Sequence, residues 1–554
     1  MKPDQMLKTD AYQSMSSEPC GPETCGAVCD CSDRLEEACA VFGVFTVDGD
    51  AARQAYFGLH ALQHRGQESA GIAVGNGRSV LVYKDQGLVS RVFSEATLAP
   101  MEGKVAIGHT RYSTSGGSAS WNDAQPHLSN IDVSIIALAH NGTLVNSNAL
   151  RNQLIGMGYS FRSASDSEVA AKFIAYFTRQ SNHMREGIRR TMELLEGAYA
   201  MVIITADALY AFRDPNGIRP LCLGELPDDR GWVVASETCG LDIVGARFVR
   251  DIAPGEILRI NAQGLASEQA LQPQRRAFCI FEYVYFARPD SILDGISVYM
   301  ARSAMGRRLA VEADVSADLV LGVPDSGIPG AIGYAHASGI PYAEGIVKNR
   351  YVGRTFIQPT QALRQRGIRL KLNPLSAVIS GQRLVLVDDS IVRGNTSRQM
   401  VSMLRDAGAA EVHFRVLSPA IVWPCFYGID TDSQQQLIAA SKDLEGIRDF
   451  IGADSLAYLS EEGLLSCCTT GDPGSAGGEQ GNGIVSDGSG CGMIDRHLPS
   501  VGSEHHGFCT ACFSGDYPVM PREQLAAGVF CGSLEPRFDG SDELSTERLF
   551  SLED

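Results

Sequence analysis

The sequence predicts a two-block protein of mixed α/β and α+β class: a layered domain of sheets and helices, then a domain built on a doubly wound parallel sheet. Between Cys39 and about Arg276, short apolar runs recur between Gly, Asn and Asp turns, the pattern of a substantial sheet. From about residue 280 to 465 the rhythm becomes continuous apolar strands, each followed by an amphipathic stretch, as in strands buried on both faces. The 554 residues are 44% apolar and 20% charged, which is globular composition and ample chain for a core.

In chain order, residues 1–38 form a polar leader bearing Ser, Pro and Cys without apolar periodicity, expected to be disordered. The first block, 39–276, offers strands at AVFGVF (40–45), VAIGH (105–109), IIALAH (135–140), AMVIIT (200–205) and WVVAS (232–236). Helical patterns cover about 166–180 and 184–196. In the second block, 277–465, DLVLGVP (318–324) precedes a helix-compatible IPGAIGYAHASG, RLVLVDD (383–389) precedes TSRQMVSMLRDAGA, and EVHFRVLS (411–418) follows. Nine of the 22 residues from Gly471 to Gly492 are glycine, so 466–506 reads as a flexible insertion before a last segment, 507–554.

A net charge of −18 argues against a mainly electrostatic nucleic-acid binder. No apolar run approaches the roughly 18 residues of a membrane helix. Neither nucleic acid nor membrane is expected as a partner. The fifteen cysteines follow no secretory signal, and the acidic leader has the wrong bias for a transit peptide, so a reducing cytoplasm is the expected setting.

The most specific run is LVLVDDSIVRGNTS (384–397). Asp388 and Asp389 fall at the carboxyl end of a buried strand, where open parallel sheets bind ligands. The loop Arg393-Gly394-Asn395-Thr396-Ser397 then offers backbone N–H groups and hydroxyls at a helix start, a cradle for a phosphate monoester. The run resembles the phosphoribosylpyrophosphate (PRPP) signature of type I phosphoribosyltransferases. That resemblance implies that Asp388 and Asp389 hold the ribose hydroxyls and Mg²⁺. It gives the 5′-phosphate to Ser390, Arg393, Gly394, Asn395, Thr396 and Ser397. Ser326 in VPDSG (323–327) is implied as a further Mg²⁺ ligand. Lys348 and Arg350, with Arg354, are implied to close over pyrophosphate, a closure that would exclude water.

In the first block, a cysteine before a buried strand is by itself more often a packed thiol. Four ordered motifs change that reading: HALQHRGQESAGI (60–72), GHTRYST (108–114), LAHNGTL (138–144) and SDSE (165–168). Together they resemble the class II, N-terminal-nucleophile glutamine amidotransferases, whose fold is a layered αββα domain. The resemblance implies removal of the leader so that Cys39 becomes residue one, its α-amine (pKa near 8) serving as the base. It further implies Asn141 and the Gly142 N–H as oxyanion donors, Arg111 as clamp for the glutamine α-carboxylate and Asp166 for its α-ammonium. His60, His64 and Arg65 read as helix-packing and positioning residues.

A glutaminase followed by a PRPP domain is similar to the glutamine PRPP amidotransferase family. Membership implies a transferase, formally a pentosyltransferase, that passes ammonia internally and makes 5-phosphoribosylamine from PRPP at the first committed step of purine synthesis. It also implies purine nucleotides as feedback inhibitors and a homotetramer. Cys509 and Cys512 form a Cys-x-x-Cys pair whose spacing suits clusters, zinc and redox equally. With Cys279 and Cys425 they match the ligand positions of the bacterial iron–sulfur branch, implying a [4Fe–4S] cluster. Two other readings compete. A sugar-phosphate amidotransferase would lack the 384–397 run, and a non-catalytic regulatory relative would be expected to lose Cys39, Asn141 or the acid pair.

Overall fold

The computed structural model describes residues 39–112, 121–132, 134–349, 372–429, 431, 433–469, 507–526 and 537–538. The leader, Arg350, Arg354 and most of the Gly-rich insertion lie outside the described residues.

The first block is two sheets face to face, each covered by helices. One sheet has seven strands in the order Arg247–Asp251, Cys222–Glu225, Gly231–Ala235, Ala40–Thr46, Val105–Arg111, Ser69–Gly75 and Val80–Gln86. The other has six, in the order Gly264–Gln269, Glu256–Asn261, Leu209–Arg213, Gly197–Ile204, Ser134–Leu144 and His127–Ile131. The period-two alternation of strand side chains explains the unbroken apolar runs. Val41 and Ile107 point between the sheets against Ala139, Ala200 and Val202. Phe42, Val44 and Ile72 point outward onto Ala55 and Leu59 of the helix Ala51–Ala61. On the far side, Leu138 and Met201 meet Phe173, Ile174 and Phe177 of the helix Asp166–Ser181. The predicted 184–196 helix ends earlier, at Met192, and Leu194 and Leu195 turn back onto the Thr191 carbonyl to enter the next strand.

The second block holds a parallel sheet of four strands ordered Leu319–Gly322, Arg383–Asp388, Glu411–Val416 and Ser455–Tyr458. Val320, Val385 and Val387 face Met305, Leu309, Ala331 and Tyr334 of the helices Val298–Glu312 and Ile328–Ser338. Leu384, Leu386 and Phe414 face Met400, Leu404, Ile447 and Ile451 on the opposite side. Helices on both faces make the sheet doubly wound. Among the described residues, no helix is long and apolar enough to cross a membrane.

The blocks are joined by the aromatic segment after Arg276. Phe278–Cys279 pairs in parallel with Phe508–Cys509, bringing the C-terminal segment onto the junction. A π-helical turn follows at Glu282–Phe286. The tail is held further by an Arg275–Asp516 ion pair and by Tyr517, whose hydroxyl donates to the Pro424 carbonyl at 2.7 Å. Glu523 then accepts the N–H of Ala149 at 2.8 Å at the start of the helix Ser147–Gly156.

Candidate active sites and a four-cysteine junction

Cys39 stands at the start of the central strand of the seven-stranded sheet, with its thiol directed to the Tyr112 carbonyl at 3.6 Å. Desolvation pushes that thiol up to about 11. Asp166 and Glu68 reinforce the shift, and Arg111 and Arg219 oppose it. Cys39 in this chain is joined to Ala38 through its nitrogen, so the base implied for it appears only when that bond is cut.

Asn141 and Gly142 lie in the strand Ser134–Leu144 opposite Ala200 and Tyr199. Asn141 is fully buried, yet among the described residues neither its side-chain Oδ1 nor its Nδ2 has a hydrogen-bond partner. An orphaned buried amide costs free energy unless something in function satisfies it. Gly142 has φ +135°, and a β-carbon there would lie 2.1 Å from the Ala198 carbonyl oxygen. Only glycine lets its N–H take this direction.

Asp166 opens its helix and accepts the Leu144 N–H at 2.9 Å and the Ser167 hydroxyl at 3.2 Å. Burial opposes its ionisation, but His140 and these donors outweigh it and hold the carboxyl down at about 2. Arg111 is partly buried and reaches Glu68 at 3.4 Å. Asp166, Glu68 and Arg111 all lie near enough to act electrostatically on Cys39.

In the second block Asp388 ends its strand and Asp389 follows, 5% and 7% exposed. Asp388 Oδ1 accepts the Asp389 N–H at 3.0 Å. Asp389 accepts the hydroxyls of Ser326 and Ser390. The loop turns through Gly394 at φ +80° into the helix Asn395–Asp406, where Ser397 is buried in the first turn. Arg393 donates to Gln436. Lys348 pairs with Asp325, one residue before Ser326, at 2.5 Å. Thus Ser326, Asp389 and Ser390 are joined directly, while Lys348 meets their loop through Asp325. Arg350 lies outside the described residues.

Residues 109–242 match the glutamine amidotransferase domain family, and residues 297–419 match the phosphoribosyl transferase domain family. Over 92% of its length the chain is 50% identical to the amidophosphoribosyltransferase of Synechococcus elongatus, covering 97% of that protein. The chain belongs to the amidophosphoribosyltransferase family. The Bacillus subtilis member is 47% identical over 88% of this chain and 95% of its own. The solved glutamine PRPP amidotransferase from B. subtilis complexed with ADP and GMP aligns with a TM-score of 0.76 at 46% identity, over 87% of this chain and 98% of that one.

As in any amidophosphoribosyltransferase, two sites must share one frame, and here the junction supplies it. Cys279 and Cys509 are side by side in paired strands. The Cys512 carbonyl accepts the N–H groups of Val422 and Trp423, which brings Cys425 to the same place. The nine described cysteines are all free thiols. Burial pushes Cys279 up to about 12 and also raises Cys509 and Cys512, and charge on Cys425 raises all three. Three buried thiols with the half-buried Cys425 beside them fit a cationic centre that would take all four as thiolates. Among the described residues, no three His, Cys, Asp or Glu side chains are grouped closely enough to hold a metal ion.

Sequence reasoning singled out His64 and Arg65 for packing and positioning but missed Arg219 and the buried carboxylates they meet. Arg65 is fully buried and donates to both Glu237 and Glu282. Arg219 is equally buried and also reaches Glu282. Glu237 further accepts from His64 at 2.8 Å and from the Ser291 hydroxyl at 2.7 Å. A signal existed: a single Glu inside AFCIFEYVYF needs a buried counter-charge.

Proposed function

We propose that this chain converts PRPP and glutamine to 5-phosphoribosylamine, glutamate and pyrophosphate, with ammonia passed from the first block to the second. The observation that carries the reading is one chain uniting an orphaned buried amide and a half-buried cysteine in its first block with an acid pair and anion loop at the carboxyl end of a parallel sheet. Cys39 attacks the glutamine side-chain carbonyl, its proton passing to the freed α-amine. Asn141 Nδ2 and the Gly142 N–H receive the oxyanion, satisfying the orphaned amide. Arg111 and Asp166 orient the amino acid through its α-carboxylate and α-ammonium.

At the second site Asp388 and Asp389 hold the ribose hydroxyls, and Ser390, Arg393, Gly394, Asn395, Thr396 and Ser397 hold the 5′-phosphate. Lys348 and Arg350 meet the pyrophosphate. Mg²⁺ held by Asp388, Asp389 and Ser326 would neutralise the departing pyrophosphate. Purine nucleotides offer the same ribose and phosphate to the 390–397 loop, and the B. subtilis relative is a complex with ADP and GMP. They are therefore read as feedback inhibitors that compete with PRPP for that loop. Cys279, Cys425, Cys509 and Cys512 would hold a [4Fe–4S] cluster, whose contribution there is to tie the tail to the junction. The free thiols suit a reducing cytoplasm, and the assembly is read as a homotetramer.

The test uses protein purified without oxygen. N-terminal sequencing is expected to begin at Cys39, metal analysis to find about four irons per chain, and PRPP with glutamine to yield phosphoribosylamine. Lack of that product with either glutamine or ammonia would overturn the reading. Gly142→Ala supplies a local check. Its β-carbon must displace the Ala198 carbonyl, so glutamine hydrolysis is expected to fall by about 10²–10³ while ammonia-dependent synthesis continues. Comparing the two rates in the purified variant measures this.

A further inference from the structure

A chain of buried hydrogen bonds runs from the backbone of Cys39 to Cys425. Arg65 Nε donates to the Cys39 carbonyl at 3.1 Å. Its two terminal nitrogens donate to the two Glu282 oxygens, each at 2.8 Å. Glu282 also accepts Arg219 Nη1 at 3.1 Å. Arg219 Nε and Nη2 then donate to the Tyr427 carbonyl at 3.1 and 2.9 Å. The Tyr427 N–H donates to Cys425 Sγ at 3.4 Å. Glu237, taking Arg65 Nη1 at 2.7 Å, balances two cations with two anions, and all four side chains are 0% exposed.

Buried ion sets of this kind are a poor source of stability, since apolar residues of equal volume serve as well or better. They do fix geometry, because each fork satisfies its partners in one arrangement. The atom gripped at the far end matters. Once residue 39 is the chain start, nothing upstream anchors it. Its carbonyl is then held by Arg65, while among the described residues its sulfur makes only the long contact to Tyr112.

We infer that Arg65, Glu282 and Arg219 are positioning residues that set Cys39 for attack from the four-cysteine junction, so that the glutaminase is competent only while the 425–427 segment is seated. This rests on the reading of Cys39 as nucleophile and of the four cysteines as one centre. A misplacement of about 1 Å costs about a hundredfold in rate, so small shifts of the junction suffice to be felt at Cys39.

The test is Glu282→Gln in the full chain, purified without oxygen. It keeps the side-chain shape and removes the charge that joins the two arginines. Iron content and ammonia-dependent synthesis are expected to stay near wild type. Glutamine kcat should fall at least about tenfold with little change in KM, and alkylation of Cys39 by iodoacetamide should change rate. Arg219→Lys keeps the charge but loses the fork on Tyr427, and is expected to show a smaller fall. This variant decides the matter if Glu282→Gln does not fold. Wild-type glutamine kcat in an iron-replete variant would overturn the inference. So would a proportional fall of both activities with lost thermal stability, which marks a structural role alone. Wild-type protein without iron would instead remove the cluster reading, and the kcat comparison would still decide whether Glu282 positions Cys39.

Discussion

Cys39→Ala is expected to abolish phosphoribosylamine formation from glutamine and to leave formation from ammonium salts near the wild-type rate. The residues proposed for the two halves of the chemistry lie on separate sheets. The thiol opens a strand of the seven-stranded sheet, and the acid pair ends a strand of the parallel sheet in the second block. Removing one sulfur from a half-buried position leaves the backbone grip of Arg65 on the residue 39 carbonyl in place. The pH dependence follows with its sign. Burial holds the thiol near 11, so at neutral pH it is protonated and needs a base to give up its proton. The freed α-amine, with a pKa near 8, supplies that base as pH rises, and the glutamine rate should climb through that range. The ammonia rate of the variant should also climb with pH, because NH₃ is the reacting form. Both rates are read as phosphoribosylamine output at saturating PRPP and Mg²⁺. A folded Cys39→Ala protein that still used glutamine would remove Cys39 as nucleophile, and one inert with ammonia would show that the sites are not separable.

The parts legible in the sequence were those written in neighbouring residues. The strand before Asp388 and the helix after Gly394 follow from a continuous apolar run and a small-residue loop, and the fold places them as expected. Five of the thirteen first-block strands were equally legible because both their faces are covered, which makes the runs unbroken. Outer strands such as Val80–Gln86, exposed at every second residue, offer no such run. The charge chain was not legible. Arg65 and Glu282 are 217 positions apart, and Arg219 and Glu282 are 63 apart. No local pattern couples residues at such separations. Arg65 was read as a packing and positioning residue, and its burial against two carboxylates gives that reading its partners. Lys348 illustrates the limit from the other side. Its sequence context implied a pyrophosphate contact, whereas its partner in the structure is Asp325, an exposed pair that a phosphate ligand would have to open.

Asp388→Asn is expected to remove synthesis from both nitrogen sources by at least about a hundredfold, the scale on which one well-placed charged partner acts at a reacting centre. The substitution isolates charge from structure. The amide side chain keeps an Oδ1 that can still accept the Asp389 N–H, a bond of 3.0 Å in the wild type, so the turn out of the strand need not change. Asp389 keeps the hydroxyls of Ser326 and Ser390, and the loop into the helix Asn395–Asp406 keeps its Gly394 turn. What disappears is one of two acidic side chains placed side by side at the carboxyl end of an interior strand. The proposed occupant offers that pair a cation and sugar hydroxyls, so the stabilisation that PRPP with Mg²⁺ gives the wild type should shrink in the variant. Alkylation of Cys39 by iodoacetamide should proceed at the wild-type rate, because the hydrogen bonds that hold Cys39 run through Arg65 and Glu282 and not through Asp388. The experiment is a thermal melt with and without PRPP and Mg²⁺, paired with phosphoribosylamine assays from glutamine and from ammonia. Retention of either synthesis at wild-type rate would take Asp388 out of the PRPP site.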